Sequence, residues 1–171
     1  MFSGEFSVTL DDMGRISLPR RLREMLDTNK VILTKHVDGC LWLFTVEGWK
    51  EFEKDVFGNT TQFSAQDLAL RRRYGPTELE IDKQGRILVG QALRDHAKLT
   101  KDCTVLCQQY YVEIWAEDRL KAYLEATEEL FRAASEKVDA KKKKEKELNS
   151  YGDSSLSGSA GTDHGVSSAE G

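Results

Sequence analysis

LDDMGRISLPRRLR at residues 10–23 returns as IDKQGRILVGQALR at residues 81–94. Across the thirteen positions from Asp11 to Arg23, six pairs are identical at a displacement of 71: Asp11/Asp82, Gly14/Gly85, Arg15/Arg86, Ile16/Ile87, Leu22/Leu93 and Arg23/Arg94. The chain is an internal duplication. Two copies of a small unit can share one core, and whatever one Asp-x-x-x-Arg loop touches is touched twice. Within each copy, Asp and Gly signal a tight turn, because Gly takes the positive φ such a turn requires and the Asp side chain accepts hydrogen bonds from turn amides.

The elements follow outward from that turn. FSVTL at 6–10 alternates apolar and polar residues as a half-buried strand does, and a second strand starts at Arg15. Pro19 suits a first helical position, with Leu22, Met25 and Leu26 following at helical spacing. Strands at 31–33 and 40–44 join through an Asp38-Gly39 turn, and Trp49, Phe52 and Val56 mark a helix. The second copy repeats the plan from Glu78 to Trp115. Between the copies, Ser64 and Asp67 read as a capping box for a helix that Gly75-Pro76 ends. The layout is a first repeat at 5–48, linking helices at 49–76, a second repeat at 77–120, a helical extension at 121–148 and a tail at 149–171. Leu120, Tyr123, Leu124, Thr127, Leu130 and Phe131 trace one face of the extension, which calls for packing on its own domain or on another subunit. The Ser/Gly-rich tail has too few apolar residues to fold and is expected to be disordered, and the run Lys141 to Lys144 reads as solvated charge.

With 171 residues, 39% hydrophobic and 32% charged, the chain builds one compact domain with appendages. No stretch approaches about eighteen consecutive apolar residues and the N-terminus has no signal-peptide pattern, so a soluble intracellular protein is expected, without a membrane partner. Cys40, Cys103 and Cys107 are odd in number and none lies at zinc-like spacing, which suits reduced core residues. The net charge of -4 conceals its distribution. Residues 1–123 hold 18 Lys+Arg against 19 Asp+Glu, so the body is near neutral and has room for a basic face. Arg15, Arg20, Arg21 and Arg23 form one cluster, and Arg71, Arg72 and Arg73 another. No catalytic constellation, P-loop or dinucleotide fingerprint is present, and no cofactor or metal is expected. A hydrolase using Asp11 and Asp82 has only compositional support, since Asp is a common turn residue.

Arg15 and Arg86 each follow a turn Gly, with a carboxylate four positions earlier able to aim the guanidinium. An Arg so directed reads a guanine edge bidentately or grips phosphate; equally, it closes a salt bridge within its loop. The residues alone leave both readings open.

A set of motifs in fixed order resolves the choice by resemblance. MFSGEFSVTLDDMGRISLPRRLR at the start, VDGCLWLF with Trp49 seven residues after Trp42, LEIDKQGRIL, and the late VEIW together resemble the MraZ family of bacterial transcriptional regulators, from Met1 to about Tyr123. The resemblance implies a mixed α/β (α+β) fold: duplicated AbrB-like, swapped-hairpin β-barrel units in one pseudo-twofold domain, here with a long C-terminal helix. It implies a homo-oligomeric ring, cytoplasmic and associated with the nucleoid, on double-stranded DNA carrying direct repeats in its own promoter, ahead of the division and cell-wall gene cluster. DNA contacts are implied for the two loops, Asp11 to Arg15 and Asp82 to Arg86; from these, Arg15 and Arg86 are expected to make the principal contacts, oriented by Asp11 and Asp82, with Lys83 or Arg20 adding phosphate contacts. Gly90 stands where the family usually has a second proline, and Tyr74-Gly75-Pro76 replaces a Gly/Ala-rich connection. Pro19, Arg20 and Arg21 make the first copy's helix start the more basic and preorganised, so Arg15 is expected to outweigh Arg86. A different class of function, an antitoxin-like or scaffold module capturing a protein through the C-terminal helix, is the alternative.

Overall fold

The computed structural model describes residues 1–58 and 62–156, with backbone alone from 152 onward. The first copy runs β1 (Glu5–Thr9), β2 (Arg15–Ser17), α1 (Arg20–Leu26), β3 (Lys30–Lys35), β4 (Leu41–Thr45) and α2 (Val46–Phe57). After α3 (Ala65–Tyr74) the second runs β5 (Thr77–Glu80), β6 (Arg86–Leu88), α4 (Gln91–Ala97), β7 (Asp102–Gln108), β8 (Tyr111–Ala116) and α5 (Glu117–Ala126), and α6 (Glu128–Leu156) follows. Residues up to Glu125 form one compact unit and those from Ala126 a second.

The strands interleave. A six-stranded antiparallel sheet has the order β1-β7-β8-β4-β3-β5, and β2 pairs with β6 in a separate two-stranded sheet. Exchanging the copies turns β1 into β5, β7 into β3 and β8 into β4, which reproduces the same order read backwards. This is the pseudo-twofold, swapped arrangement that the family resemblance implied. Neither copy completes its own sheet: β1 lies on β7 of the second copy and β5 on β3 of the first. The connecting bonds repeat as well, Leu10 N–H to Lys101 C=O at 2.9 Å matching Ile81 N–H to Asn29 C=O at 2.8 Å.

One core joins both sheets. Ile16, Leu22, Leu33, Leu41, Ile87, Val105 and Ile114 are fully enclosed within it, each contributing about 1.5–3 kcal/mol of burial. A second cluster, around Phe44 and Trp49, fastens α2 to the sheet, and the Tyr74 ring at the end of α3 reaches it 5.5 Å from Phe52. Cys40 and Cys103 are buried and all three cysteines are free thiols. Burial pushes the Cys103 thiol up to about 11, the neighbouring Asp102 charge adding to it.

Local signals operate where expected. Ser64 Oγ accepts from Asp67 N–H at 3.1 Å while the Asp67 carboxylate accepts from Ser64 N–H at 2.8 Å, the reciprocal capping box. Pro19 is the N-cap of α1 rather than its first residue, with φ -54 and ψ 144. Gly90 takes the matching position before α4 at φ -60 and ψ 153, so losing the second proline leaves the helix start unchanged. Leu120 is buried and Tyr123 packs 4.9 Å from the Trp115 ring, but the apolar stripe divides at Thr127, and Leu130 and Phe131 on α6 are exposed.

The sequence predicts a tail from residue 149, yet α6 continues to Leu156. Asn149 to Ser155 contain no strong helix former, but adding residues to an existing helix needs no new nucleation, so the Lys-, Glu- and Ala-rich stretch before them carries the helix on. The remainder of that tail, 157–171, lies outside the described residues.

Candidate nucleic-acid interface

Each duplicated turn folds in the same way. In the first, one Asp11 oxygen, Oδ1, accepts from the N–H groups of Met13 at 2.9 Å and Arg15 at 2.8 Å, and Gly14 N–H donates to the Asp11 carbonyl at 3.0 Å. The other oxygen, Oδ2, holds Arg15 Nε at 3.0 Å. In the second, Asp82 Oδ1 accepts from Gln84 and Arg86 N–H, both at 2.9 Å, and Oδ2 holds Arg86 Nε at 2.8 Å. The Arg15 amide foremost, aided by its guanidinium and the Met13 amide, holds the Asp11 carboxyl below the ordinary aspartate range. The Arg86 amide does the same for Asp82, with its guanidinium and the Gln84 amide assisting. Carboxylates so engaged are poor general bases. Among the described residues no group of His, Cys, Asp or Glu is arranged to hold a metal.

The ribbon β2–β6 joins the two loops. Arg15 lies opposite Leu88, Ile16 opposite Ile87 and Ser17 opposite Arg86. Side chains alternate along a strand, so Ile16 and Ile87, both 0% exposed, form the inner face. Arg15, Ser17, Arg86 and Leu88 share the outer one. Arg15 and Arg86 are diagonal neighbours there, about 7–8 Å apart by standard antiparallel spacing. Each spends only Nε on its Asp; among the described residues, their terminal guanidinium nitrogens make no other ion pair.

What supports the loops lies in the opposite copy. Gly14 and Gly85 have φ +79 and +78, and the space beside each Cα is filled by a guanidinium: Arg94 against Gly14, Arg23 against Gly85. Arg23 Nε donates to Leu18 C=O at 3.2 Å, and Arg94 Nη2 to Gln91 Oε1 at 2.7 Å. In the sequence Arg23 reads only as one of a basic cluster and Arg94 carries no role, although the two form one of the six identical pairs. Their identity was the available signal, but which loop they would meet depends on how the copies interleave.

A profile of the family described as "MraZ protein, putative antitoxin-like" matches residues 1–71 and 74–141. The chain belongs to the MraZ family. It is 39% identical over 136 residues to the transcriptional regulator MraZ of Treponema denticola, covering 78% of this chain and 94% of that relative. Against the transcriptional regulator MraZ of Moorella thermoacetica it is 38% identical over 141 residues, 81% of this chain and 96% of the other. MraZ proteins are transcriptional regulators rather than enzymes, which disposes of the hydrolase reading. Among the described residues no helix is long and apolar enough to cross a membrane.

Within this MraZ fold the remaining candidates differ in setting. Lys83 is exposed at the tip of the second loop, where the first copy has Asp12. Arg20 is exposed on α1 with Nε 2.8 Å from Glu24, so a phosphate would have to compete with that carboxylate.

Proposed function

We propose that this MraZ-family regulator binds promoter DNA sequence-specifically through the β2–β6 ribbon and its two Asp-x-x-x-Arg loops. The observation that carries the reading is the pairing register, which sets Arg15 and Arg86 on one outer face with each guanidinium aimed by a carboxylate. A two-stranded ribbon fits the major groove, and a preoriented guanidinium forks onto guanine or phosphate at little entropic cost. Lys83 adds a phosphate contact, and Arg20 adds one where DNA displaces Glu24. The first copy has the more basic helix start and the second the more basic loop tip, and on the former ground Arg15 is the stronger of the two contacts. One ribbon spans few base pairs. Affinity therefore comes from a ring-shaped homo-oligomer presenting ribbons to direct repeats upstream of its own gene, within the division and cell-wall cluster, in the cytoplasm at the nucleoid.

An electrophoretic shift at fixed salt, using that upstream DNA against a competitor with scrambled repeats, tests this. Arg15→Ala and Arg86→Ala should each lower affinity by roughly ten-fold or more, and the double variant should abolish the specific shift. A double variant of unchanged oligomeric state that shifts promoter DNA like the parent would overturn the proposal. The antitoxin-like or scaffold alternative has the exposed Leu130 and Phe131 of α6 in its favour. Truncation after Tyr123 separates the two, because DNA binding survives under the first reading and partner capture is lost under the second.

A further inference from the structure

Away from the loops, a cavity of about 530 Å³ opens between the β3–β4 hairpin, the last turn of α3 and helix α4. Three cations line it: Lys35 at the end of β3, and Arg72 and Arg73 on α3. None of them has an ion pair among the described residues. Arg71, beside them in sequence, is engaged quite differently. Its Nη2 lies 2.9 Å from Glu53, and its guanidinium sits over the rings of Phe57 and Phe63 at 5.1 and 4.8 Å. Of three consecutive arginines, then, one is a structural clamp and two border a concave site without an ion pair among the described residues. Among the described residues no carboxylate is on the cavity wall, although Asp38 Oδ2 lies 3.3 Å from Nδ1 of the lining His36.

The floor and rim are less polar. The His36 ring stacks on Trp42 at 3.8 Å, and His96 Nε2 is 2.7 Å from the His36 carbonyl oxygen. A carbonyl only accepts, so that nitrogen carries its hydrogen and holds the imidazole in place. Val37, 88% exposed, and Leu70, 45% exposed, offer apolar surface at the edge. Arginines near a helix C-terminus also gain from the helix dipole, which by itself would account for Arg72 and Arg73. It does not account for exposed Val37 and Leu70 beside them, nor for a concavity within the volume range of small-molecule sites.

We propose that this cavity binds a small anion in which a phosphate or carboxylate group is carried on a flat apolar body. The head would fork onto Arg72 and Arg73 with Lys35 as a point charge, and the body would cover Val37 and Leu70. Free phosphate satisfies only the first half of that description. The site uses none of the loop residues, although α4 carries both His96 into the cavity and Arg94 against Gly14.

Isothermal titration of the full chain at constant ionic strength, with naphthyl phosphate, naphthoate, inorganic phosphate and naphthol, tests both halves. Naphthyl phosphate or naphthoate should bind about ten-fold or more tightly than inorganic phosphate or naphthol, and the stronger of the two identifies the head group. Arg72→Gln/Arg73→Gln should weaken that binding about ten-fold or more, and Lys35→Gln should weaken it in the same direction; all three side chains are outside the core, so Lys35→Gln should melt with the parent and the double variant should lose only the small helix-dipole contribution of its two arginines. Equal binding of the aromatic anion and inorganic phosphate would overturn the proposal, as would undiminished binding by the double variant. So would a double variant that keeps the aromatic anion but loses affinity for duplex DNA of any sequence, because the two arginines would then belong to a phosphate-backbone surface.

Discussion

Replacing Gly85 by Ala tests whether the guanidinium of one copy supports the turn of the other. The backbone there has φ +78, which costs a residue with a side chain about 1–2 kcal/mol. The new methyl would also lie 2.6 Å from Arg23 Nε and 2.9 Å from its Cδ, so the whole end of that side chain must move. Moving it gives up the 3.2 Å bond to Leu18 C=O, a loss of about 1 kcal/mol. Gly85→Ala should therefore destabilise the fold by about 2–3 kcal/mol. Three other glycines separate the contributions. Gly14→Ala has the same φ penalty, but its methyl meets Arg94 no closer than 3.0 Å, so that side chain need give only slightly and should keep its Nη2 bond to Gln91, and about 1–2 kcal/mol is expected. Gly75→Ala, at φ +51 with its nearest neighbour at 3.8 Å, isolates the backbone cost of about 1 kcal/mol. Gly90→Ala, at φ -60 with nothing within 4 Å, should be neutral or stabilising by about 0.4–1 kcal/mol. Urea unfolding followed by tryptophan fluorescence, at one protein concentration so that association contributes equally, ranks the four. Should Gly85→Ala fall within about 0.5 kcal/mol of Gly75→Ala, the packing of Arg23 against the turn offers no resistance and the reasoning fails.

Two further outcomes follow from the same geometry. Ile16→Ala and Ile87→Ala should each cost about 2–4 kcal/mol, and because the two residues are direct partners across the ribbon, the double variant should depart from additivity by about 0.5 kcal/mol or more in a thermodynamic cycle; strict additivity would argue against the pairing of β2 with β6. The Asp11 and Asp82 carboxyls lie below the ordinary aspartate value of 3.8 when folded, so their stabilisation is complete above that value and is lost as pH falls through the lower folded ones. Urea midpoints across a pH series should accordingly fall more steeply for the parent than for Asp11→Asn/Asp82→Asn below about pH 4, and in parallel from about pH 5 to 8; parallel curves down to about pH 3 would contradict the loop geometry.

Sequence by itself determined what depends on neighbours along the chain. The two turns, the capping box at Ser64 and the stop at Gly75 were legible because a turn Asp, a cap hydroxyl and a positive φ act over a few residues. The duplication implied a shared core, and the order of motifs pointed to the family. Arg15 and Arg86 stood out because an Asp four positions away is within reach in any tight turn. Even so, the terminus of α6 is not legible in the sequence, since Asn149 to Ser155 are weak helix formers that extend a helix already nucleated before them.

Tertiary structure decided the rest. That β2 pairs with β6, bringing two arginines 71 residues apart onto one outer face, is a matter of register between copies, and no local rule specifies it. The same interleaving carries Arg23 to Gly85 and Arg94 to Gly14, whereas the packing of α3 beside α2 brings Arg71 to Glu53 while Arg72 and Arg73 line a cavity. Local chemistry wrote each loop of this chain, but only long-range strand pairing, driven by burial of a core that neither copy can complete alone, determined what each loop rests on and which side chains it shares a face with.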